Sequence, residues 1–410
     1  MNYATVRLKR LVAPGRAITY GIVQAGADYP GGVPYIRPVD MTPNGGLKDP
    51  SALLRTDPAI ARAYRRSAVM PTDVVVSIGP SFGKVMVVPK DLQGANLTQG
   101  TARVAPAHGV HPRFLYWALQ STQARQHWEI SVGGATFKAL NLEPLSMTPI
   151  PVAPTDEQRR IADFLDAETR LIDTVRAGRQ RMIELLALKR DRLVDELVSG
   201  GQDASAFVPL KYLVSSVSVG IVITPAAWYV EAGGVPALRG LNVKQGRIDA
   251  SDLVQISHEG HLLHRKSRLA AGDLVVVRTG QAGAAAVVPA ELDGVNCIDL
   301  VIVRPGTALI PKFAEYLLNS SYAKRRVSEF SVGSIQAHFN VAAMKEMPVP
   351  RYPVAEQKRR VSAIEEAVQP IEKAISQMRE QDQLLAERRQ ALITAAVTGQ
   401  IDVTTARGLD

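Results

Sequence analysis

A stretch of more than forty residues, built almost entirely of helix formers, occurs twice in this chain and limits its fold more than any other feature. Residues 156–200 contain no Pro and one internal Gly, Gly178. As a single helix they would reach roughly 65 Å at about 1.5 Å per residue, too long for an ordinary globular helix. Apolar residues recur at Ile161, Leu165, Ile172, Val175, Met182, Leu186, Leu193 and Leu197, mostly three, four or seven apart, the spacing of a coiled-coil seam. Residues 355–399 hold the same register with Val361, Ile364, Val368, Ile371, Ile375, Met378, Leu385, Leu392 and Ala396, and put Asp382 and Arg389 at two seam positions. Each stripe needs a partner. Either the two copies pair with one another, which the sustained spacing favours, or each stripe packs on its own neighbouring globular part.

The repeat extends well beyond the helices. Gly31-Gly32-Val33-Pro34 returns as Gly233-Gly234-Val235-Pro236, Arg65-Arg66-Ser67 as Arg265-Lys266-Ser267, and Asp73, Gly83, Pro89 and Asn96 as Asp273, Gly283, Pro289 and Asn296. Ser131-Val132-Gly133 returns as Ser331-Val332-Gly333, Asn141 as Asn340, and the entry Pro149, Pro151, Pro154, Glu157, Gln158 as Pro348, Pro350, Pro353, Glu356, Gln357. The chain is therefore a tandem duplication of a globular domain plus a helix. Residues 1–150 and 201–350 are the globular parts, 151–200 and 351–400 the spacer helices, and 401–410 a tail. Short β-branched runs bounded by Gly and Pro, such as Val74-Val75-Val76, predict strands, and residues 111–130 predict a helix with Phe114, Leu115, Ala118, Leu119 and Trp128 on its apolar side. The expected class is α+β: two tandem-duplicated globular α/β domains separated by two long helices. If those helices pair antiparallel, the globular parts stand at opposite ends of a spacer. Pro370 in the second helix predicts a bend or a break there.

Bulk properties narrow the function. The net charge is +9. Residues 1–150 carry 16 Lys and Arg against 8 Asp and Glu, residues 201–350 carry 14 against 12, and both helical segments balance to within one charge. A basic surplus in the globular parts favours a polyanion such as nucleic acid. Balanced helices suit protein contact or solvent. No apolar run is longer than a strand and no N-terminal segment has a signal-peptide layout, so a cytoplasmic chain without membrane contact is expected. Cys297, the single cysteine, can form neither an internal disulfide nor a multi-thiolate metal site.

Catalytic patterns are weak. Gly79-Pro80-Ser81-Phe82-Gly83-Lys84 is one residue short of a phosphate-binding loop and has Val85 where Ser or Thr should follow the Lys; hairpin turns are expected here and at Gly280–Gly283. In His258-Glu259-Gly260-His261 the second His comes one residue too early for a zinc-protease helix. Asp156 and Glu157 suit the first turn of a helix through its dipole. No catalytic residue and no metal site is expected. The basic and polar residues that recur beside strands and loops are the better candidates. Arg62, Arg65, Arg66, Lys84, Thr136, Lys138, Arg265, Lys266, Arg268, Gln336 and His338 could hold phosphates or read base edges, the alternative for any one being a solvated loop.

The doubled Pro-x-Pro…Glu-Gln entry, each followed by a long helix closing on Val198-Ser199-Gly200 or Val397-Thr398-Gly399, resembles the specificity subunit of type I restriction–modification systems. The resemblance covers essentially the whole chain. It implies that each globular part is a target-recognition domain reading one half of a bipartite, asymmetric site in double-stranded DNA. It also implies an antiparallel helix pair that sets the gap between half-sites and docks two modification (methyltransferase) subunits, with restriction and translocase subunits joining them. S-adenosylmethionine, ATP, Mg and catalysis would belong to those partners, leaving this chain a non-catalytic subunit with no cofactor of its own. A coiled-coil interaction scaffold without DNA specificity is the alternative from another class, and an enzyme whose site is assembled from scattered residues is a third.

Overall fold

A computed structural model describes residues 3–133, 139–200, 207–279, 281–330 and 340–403, with the backbone alone described for residues 328–330. The chain divides into two compact units, Met1–Arg179 with Glu380–Asp410, and Gln180–Arg379. Each unit therefore combines one globular part with half of each long helix. Among the described residues no helix is long and apolar enough to cross a membrane.

In the first unit, strands Thr19–Tyr20, Thr101–Val104, Val74–Ser77 and Val85–Val87 form an antiparallel sheet in that order. A smaller sheet orders Arg55–Thr56, Val33–Ile36 and Asn96–Leu97, the last two parallel. Ala4–Arg7 pairs antiparallel with Pro149–Val152 and closes the domain where it meets the long helix. Val74, Val75 and Val76 are all buried, which explains why this strand reads as a continuous apolar run. Val74 and Val76 face Phe114, Leu115, Trp117 and Trp128. Val75 faces Ile36, Met86 and Leu97 on the other side.

The second unit repeats the plan. Val214–Val219, Leu300–Pro305, Leu274–Val277 and Ala285–Val287 form its antiparallel sheet. Tyr229–Val230, Val254–Ile256, Val235–Leu238 and Asn296–Cys297 form the other. Cys297 is fully buried.

The long helices are Thr155–Ser199 and Val354–Thr398. The second continues through Pro370 without the break that was one expectation. In the first unit Asp173 pairs with Arg389 and Arg176 with Asp382. In the second, Arg190 meets Glu372 at 4.0 Å, and the Arg360 Nη1 donates to the Leu197 carbonyl at 2.6 Å. In both units the numbers rise on one helix as they fall on the other, so the segments run antiparallel.

The apolar stripe divides its work in a way its spacing does not reveal. Ile161 and Leu165 are buried in the globular core of the first unit, where Leu392 packs beside them. Val361, Ile364 and Val368 join the globular core of the second. Packing on the neighbouring domain, the alternative left open by the sequence, therefore holds for the first turns of each helix. A helix–helix seam is formed by Ile371, Ile375 and Met378 with Ile183, Leu186 and Leu193. Ile172 is buried and Leu385 half-buried. Val175 and Met182, expected on the seam, are exposed at 41% and 46%. An α-helix drifts about 20° per heptad against a 3.5-residue repeat, and the drift turns Ile183 inward in place of Met182.

The Glu-Gln pair has a role beyond the helix dipole. The buried Gln158 accepts the His111 N–H through Oε1 at 2.7 Å and donates through Nε2 to the Ala153 carbonyl at 2.9 Å. Gln357 does the same to Ile310 at 2.8 Å and Tyr352 at 2.9 Å. Each glutamine thus ties a long helix to the loop preceding its domain's first core helix, because its amide offers both a donor and an acceptor.

Candidate nucleic-acid interface

The basic pairs stand on a platform built alike in both units. In the first, Asp57 accepts the Ala59 N–H at 2.6 Å and starts the helix Pro58–Ala63, with Pro58 in its first turn. A single 3-10 turn, Arg65–Ser67, follows. Asn96, buried in the parallel strand pair, accepts from Ser67 Oγ at 2.6 Å and donates to the Ala61 carbonyl at 3.2 Å. That anchor leaves Arg62, Arg65 and Arg66 exposed.

In the second unit Ser257 caps the helix His258–Leu263 by accepting the Gly260 N–H at 3.1 Å. Asn296 donates to Ser267 Oγ at 2.7 Å and to the His264 carbonyl at 3.1 Å, and its Oδ1 lies 2.6 Å from His261 Nδ1. Arg265 and Lys266 are exposed. The residues that recur between the copies, Ser67, Asn96, Ser267 and Asn296, are thus the supports, and the exposed residues beside them are free to differ.

Two sequence candidates are employed in holding the fold. Lys84 Nζ donates to the carbonyls of Pro38 at 2.8 Å and Met41 at 3.0 Å; a strand-end lysine next to a long loop satisfies buried acceptors. Arg268 donates through Nε and Nη2 to the His261 carbonyl at 3.2 and 2.9 Å, bracing the short helix. Thr136, Lys138, Gln336 and His338 lie outside the described residues. Gly83 closes a hairpin by donating to the Ser77 carbonyl. Among the described residues no three His, Cys, Asp or Glu side chains are grouped to hold a metal.

The structure adds residues that sequence reasoning passed over. Arg16 and Arg103 join Arg65 and Arg66 around a cleft of about 730 Å³ in the first unit. Burial, and then the Arg16 charge, push the Arg103 guanidinium below its usual pKa. Its signal was a lone charge inside the apolar strand Thr101–Val104. In the second unit Leu262 and Leu263 are exposed at 57% and 63%, where the first unit has Arg62 and Ala63. An exposed Arg suits guanine or a phosphate and an exposed Leu a thymine methyl, so the two platforms offer different chemistry.

The chain is similar to known proteins. Residues 28–185 match the family described as the type I restriction modification DNA specificity domain. The type I restriction enzyme EcoBI specificity subunit of Escherichia coli is 31% identical over 162 residues, 39% of this chain and 33% of that protein. The EcoKI specificity subunit of Escherichia coli K12 is 23% identical over 182 residues, 42% of this chain and 38% of that protein. The chain spans about a third of the length of the curated relatives it matches. A chain solved in work on complex assembly and conformational transition of the type I R-M system matches with a TM-score of 0.69 at 17% identity, over 98% of each chain. That likeness extends the shared fold to both units and both long helices.

Proposed function

We propose that this chain, which carries the type I restriction modification DNA specificity domain over residues 28–185, is the DNA-recognition subunit of a type I restriction–modification complex. Each globular part reads one half of a bipartite site in double-stranded DNA. The observation that carries the reading is the platform made twice: an exposed basic pair at the end of a short helix, pinned by a buried asparagine in each unit. Phosphate contacts by Arg65, Arg66, Arg265 and Lys266 would set register, and neighbouring side chains would read bases. Because Arg62 in one unit corresponds to Leu262 in the other, the two half-sites differ.

The two long helices are the spacer between the half-sites. Two readers on one chain make the second binding event intramolecular, which raises affinity without new contacts. Exposed side chains on the helices, with Leu171 at 62% and Leu188 at 55%, support docking of two modification subunits, with restriction and translocase subunits joining the assembly in the cytoplasm. Methyl transfer, S-adenosylmethionine, ATP and Mg belong to those subunits in this reading, and the chain contributes recognition rather than catalysis.

Methylated bases mapped genome-wide in cells with and without this chain test the proposal. A bipartite asymmetric motif is expected to lose methylation when the chain is deleted. An unchanged methylation pattern in cells with active modification subunits would overturn the assignment. Adding one heptad to each helix is expected to lengthen the gap and leave both half-sites unaltered.

A further inference from the structure

Among the buried positions at which the two units differ, one lies in the central sheet beneath the basic pair. Arg103 stands opposite Val75 in the sheet of the first unit, and Ile302 stands opposite Val275 at the same register in the second. Ile302 is fully buried and Arg103 is 5% exposed. Isoleucine therefore fills this place in the scaffold, and a guanidinium there brings a desolvation penalty. Charge in the interior is ordinarily paired. Arg103 has no carboxylate: Asp73 is occupied by Arg16 through two bonds of 2.7 Å. The Arg103 Nη1 donates to the carbonyls of Arg66 at 2.6 Å and Ala68 at 3.2 Å, and Nη2 to that of Ala17 at 3.2 Å. Its Nε is buried with no hydrogen-bond partner among the described residues.

The second unit serves its aspartate and the counterpart of the Ala68 carbonyl with one arginine. Arg304 reaches both Asp273 at 3.3 Å and the Arg268 carbonyl at 2.6 Å. Arg268 and Arg304 of the second unit stay half-buried, whereas the first unit divides those duties between Arg16 and Arg103 and places the Arg103 charge in the interior. That charge underlies the cleft, and Arg65 and Arg66 stand at its walls with no ion-pair partner among the described residues. Arg103 also holds the main chain of Arg66 and Ala68, the segment that bears both side chains.

We propose that this cleft seats a phosphate group of the DNA backbone, gripped by Arg65 and Arg66, with Arg103 as a positioning residue whose charge and carbonyl contacts aim them. DNA binding by the chain is then electrostatically lopsided, anchored by the first unit. The inference rests on the DNA-reading function proposed above.

The test is binding of DNA carrying the mapped motif, by the chain together with its modification subunits, as a function of salt. Each phosphate contact contributes about −0.9 to the slope of log affinity against log salt. Arg65→Gln with Arg66→Gln is expected to flatten the slope by about two and to weaken binding roughly ten- to fifty-fold near 0.1 M salt. Arg103→Ile is expected to flatten it in the same direction without changing which sequence is methylated, and Arg103→Lys to restore it. Arg265→Gln with Lys266→Gln is expected to flatten it less.

A parental slope retained by Arg103→Ile and by the Arg65, Arg66 double variant, both folded by circular dichroism, would overturn the seat alone. Equal losses from the double variants of the two units would overturn the lopsidedness. Should inorganic phosphate raise the thermal midpoint of the parent but not of the Arg65, Arg66 variant, with DNA slopes unchanged, the cleft takes a free anion and the DNA seat is wrong. A parent complex that shows no salt-dependent DNA binding would overturn the reading function itself, and the seat with it.

Discussion

Asp173 with Arg389 and Arg176 with Asp382 join the helix segments of the first unit, whereas Ile183, Ile371 and Ile375 join those of the second. The balance of forces thus differs between the copies, although Leu392 packs beside Ile161 and Leu165 in the first unit and Arg190 meets Glu372 in the second. Half-exposed ion pairs contribute about 0–1 kcal/mol each and weaken with salt, while burial of an isoleucine contributes several times as much and does not. The platforms differ in the same spirit: the first unit places arginine at Arg62 and Arg103, and the second places hydrocarbon at Leu262 and Ile302. What recurs exactly where support is needed is polar and local, namely Gln158 and Gln357, Asn96 and Asn296, Ser67 and Ser267.

The largest effect separates the helix segments. Ile371→Ala is expected to destabilise the second unit by about 2–5 kcal/mol through loss of burial and the cavity left behind, while Arg176→Ala lowers the stability of the first by less than about 1 kcal/mol. Denaturant unfolding, with hydrogen exchange to assign each loss to a unit, reads the difference. Equal losses would break the distinction between a charged and an apolar pairing.

Next comes the clamp that the units share. Gln158→Ala and Gln357→Ala each strand buried groups and are expected to destabilise by about 2 kcal/mol. Losses differing by more than about 1 kcal/mol, measured in the same unfolding experiment, would mean that the clamp is not equivalent in the two copies.

A smaller effect lies in the turns before the central strands. Thr72 occupies φ 73° where the second unit has Gly272 at φ 87°, each third in a four-residue turn closed by Asp73 or Asp273. A left-handed β-branched residue is strained. Thr72→Gly is expected to raise the midpoint of thermal unfolding, by about 1 kcal/mol in stability, and Gly272→Thr to lower it by a similar amount.

The smallest effect is acid-dependent. The Arg176 hydrogen bond holds the Asp382 carboxyl below its usual pKa. A carboxylate depressed in the folded state adds stability above its unfolded pKa, near about 4, and loses it as pH falls through the folded value. Stability of the parent over Asp382→Asn is expected to be about 0.2–1 kcal/mol at neutral pH and to vanish below about pH 3. A difference that persists in acid would assign the effect to something other than this pair.

Legibility followed chain distance. The repeat, the long helices and the basic character of the globular parts are statements about neighbours in sequence, and periodicity carries them. Arg65, Arg66, Arg265 and Lys266 were visible because a basic pair recurs 200 residues on in the same company. Lys84 and Arg268 look no different by residue type, yet both are spent on carbonyls reached through loop geometry. Arg103 gave only the oddity of a charge within a strand, and its meaning depends on Ile302, which the strand pairing places at the same register.

By itself, the sequence determined that the chain is a domain and a helix made twice, since a shared pattern of glycines, prolines and helix formers acts locally and needs no partner to be recognised. Only the tertiary structure decided which face of each helix enters a globular core and which meets the other helix, because a drift of about 20° per heptad exchanges Met182 for Ile183. It also decided which arginines remain available for a ligand. Availability is set by the carbonyls and carboxylates that folding brings within 3 Å or so, and those come from residues far away along the chain.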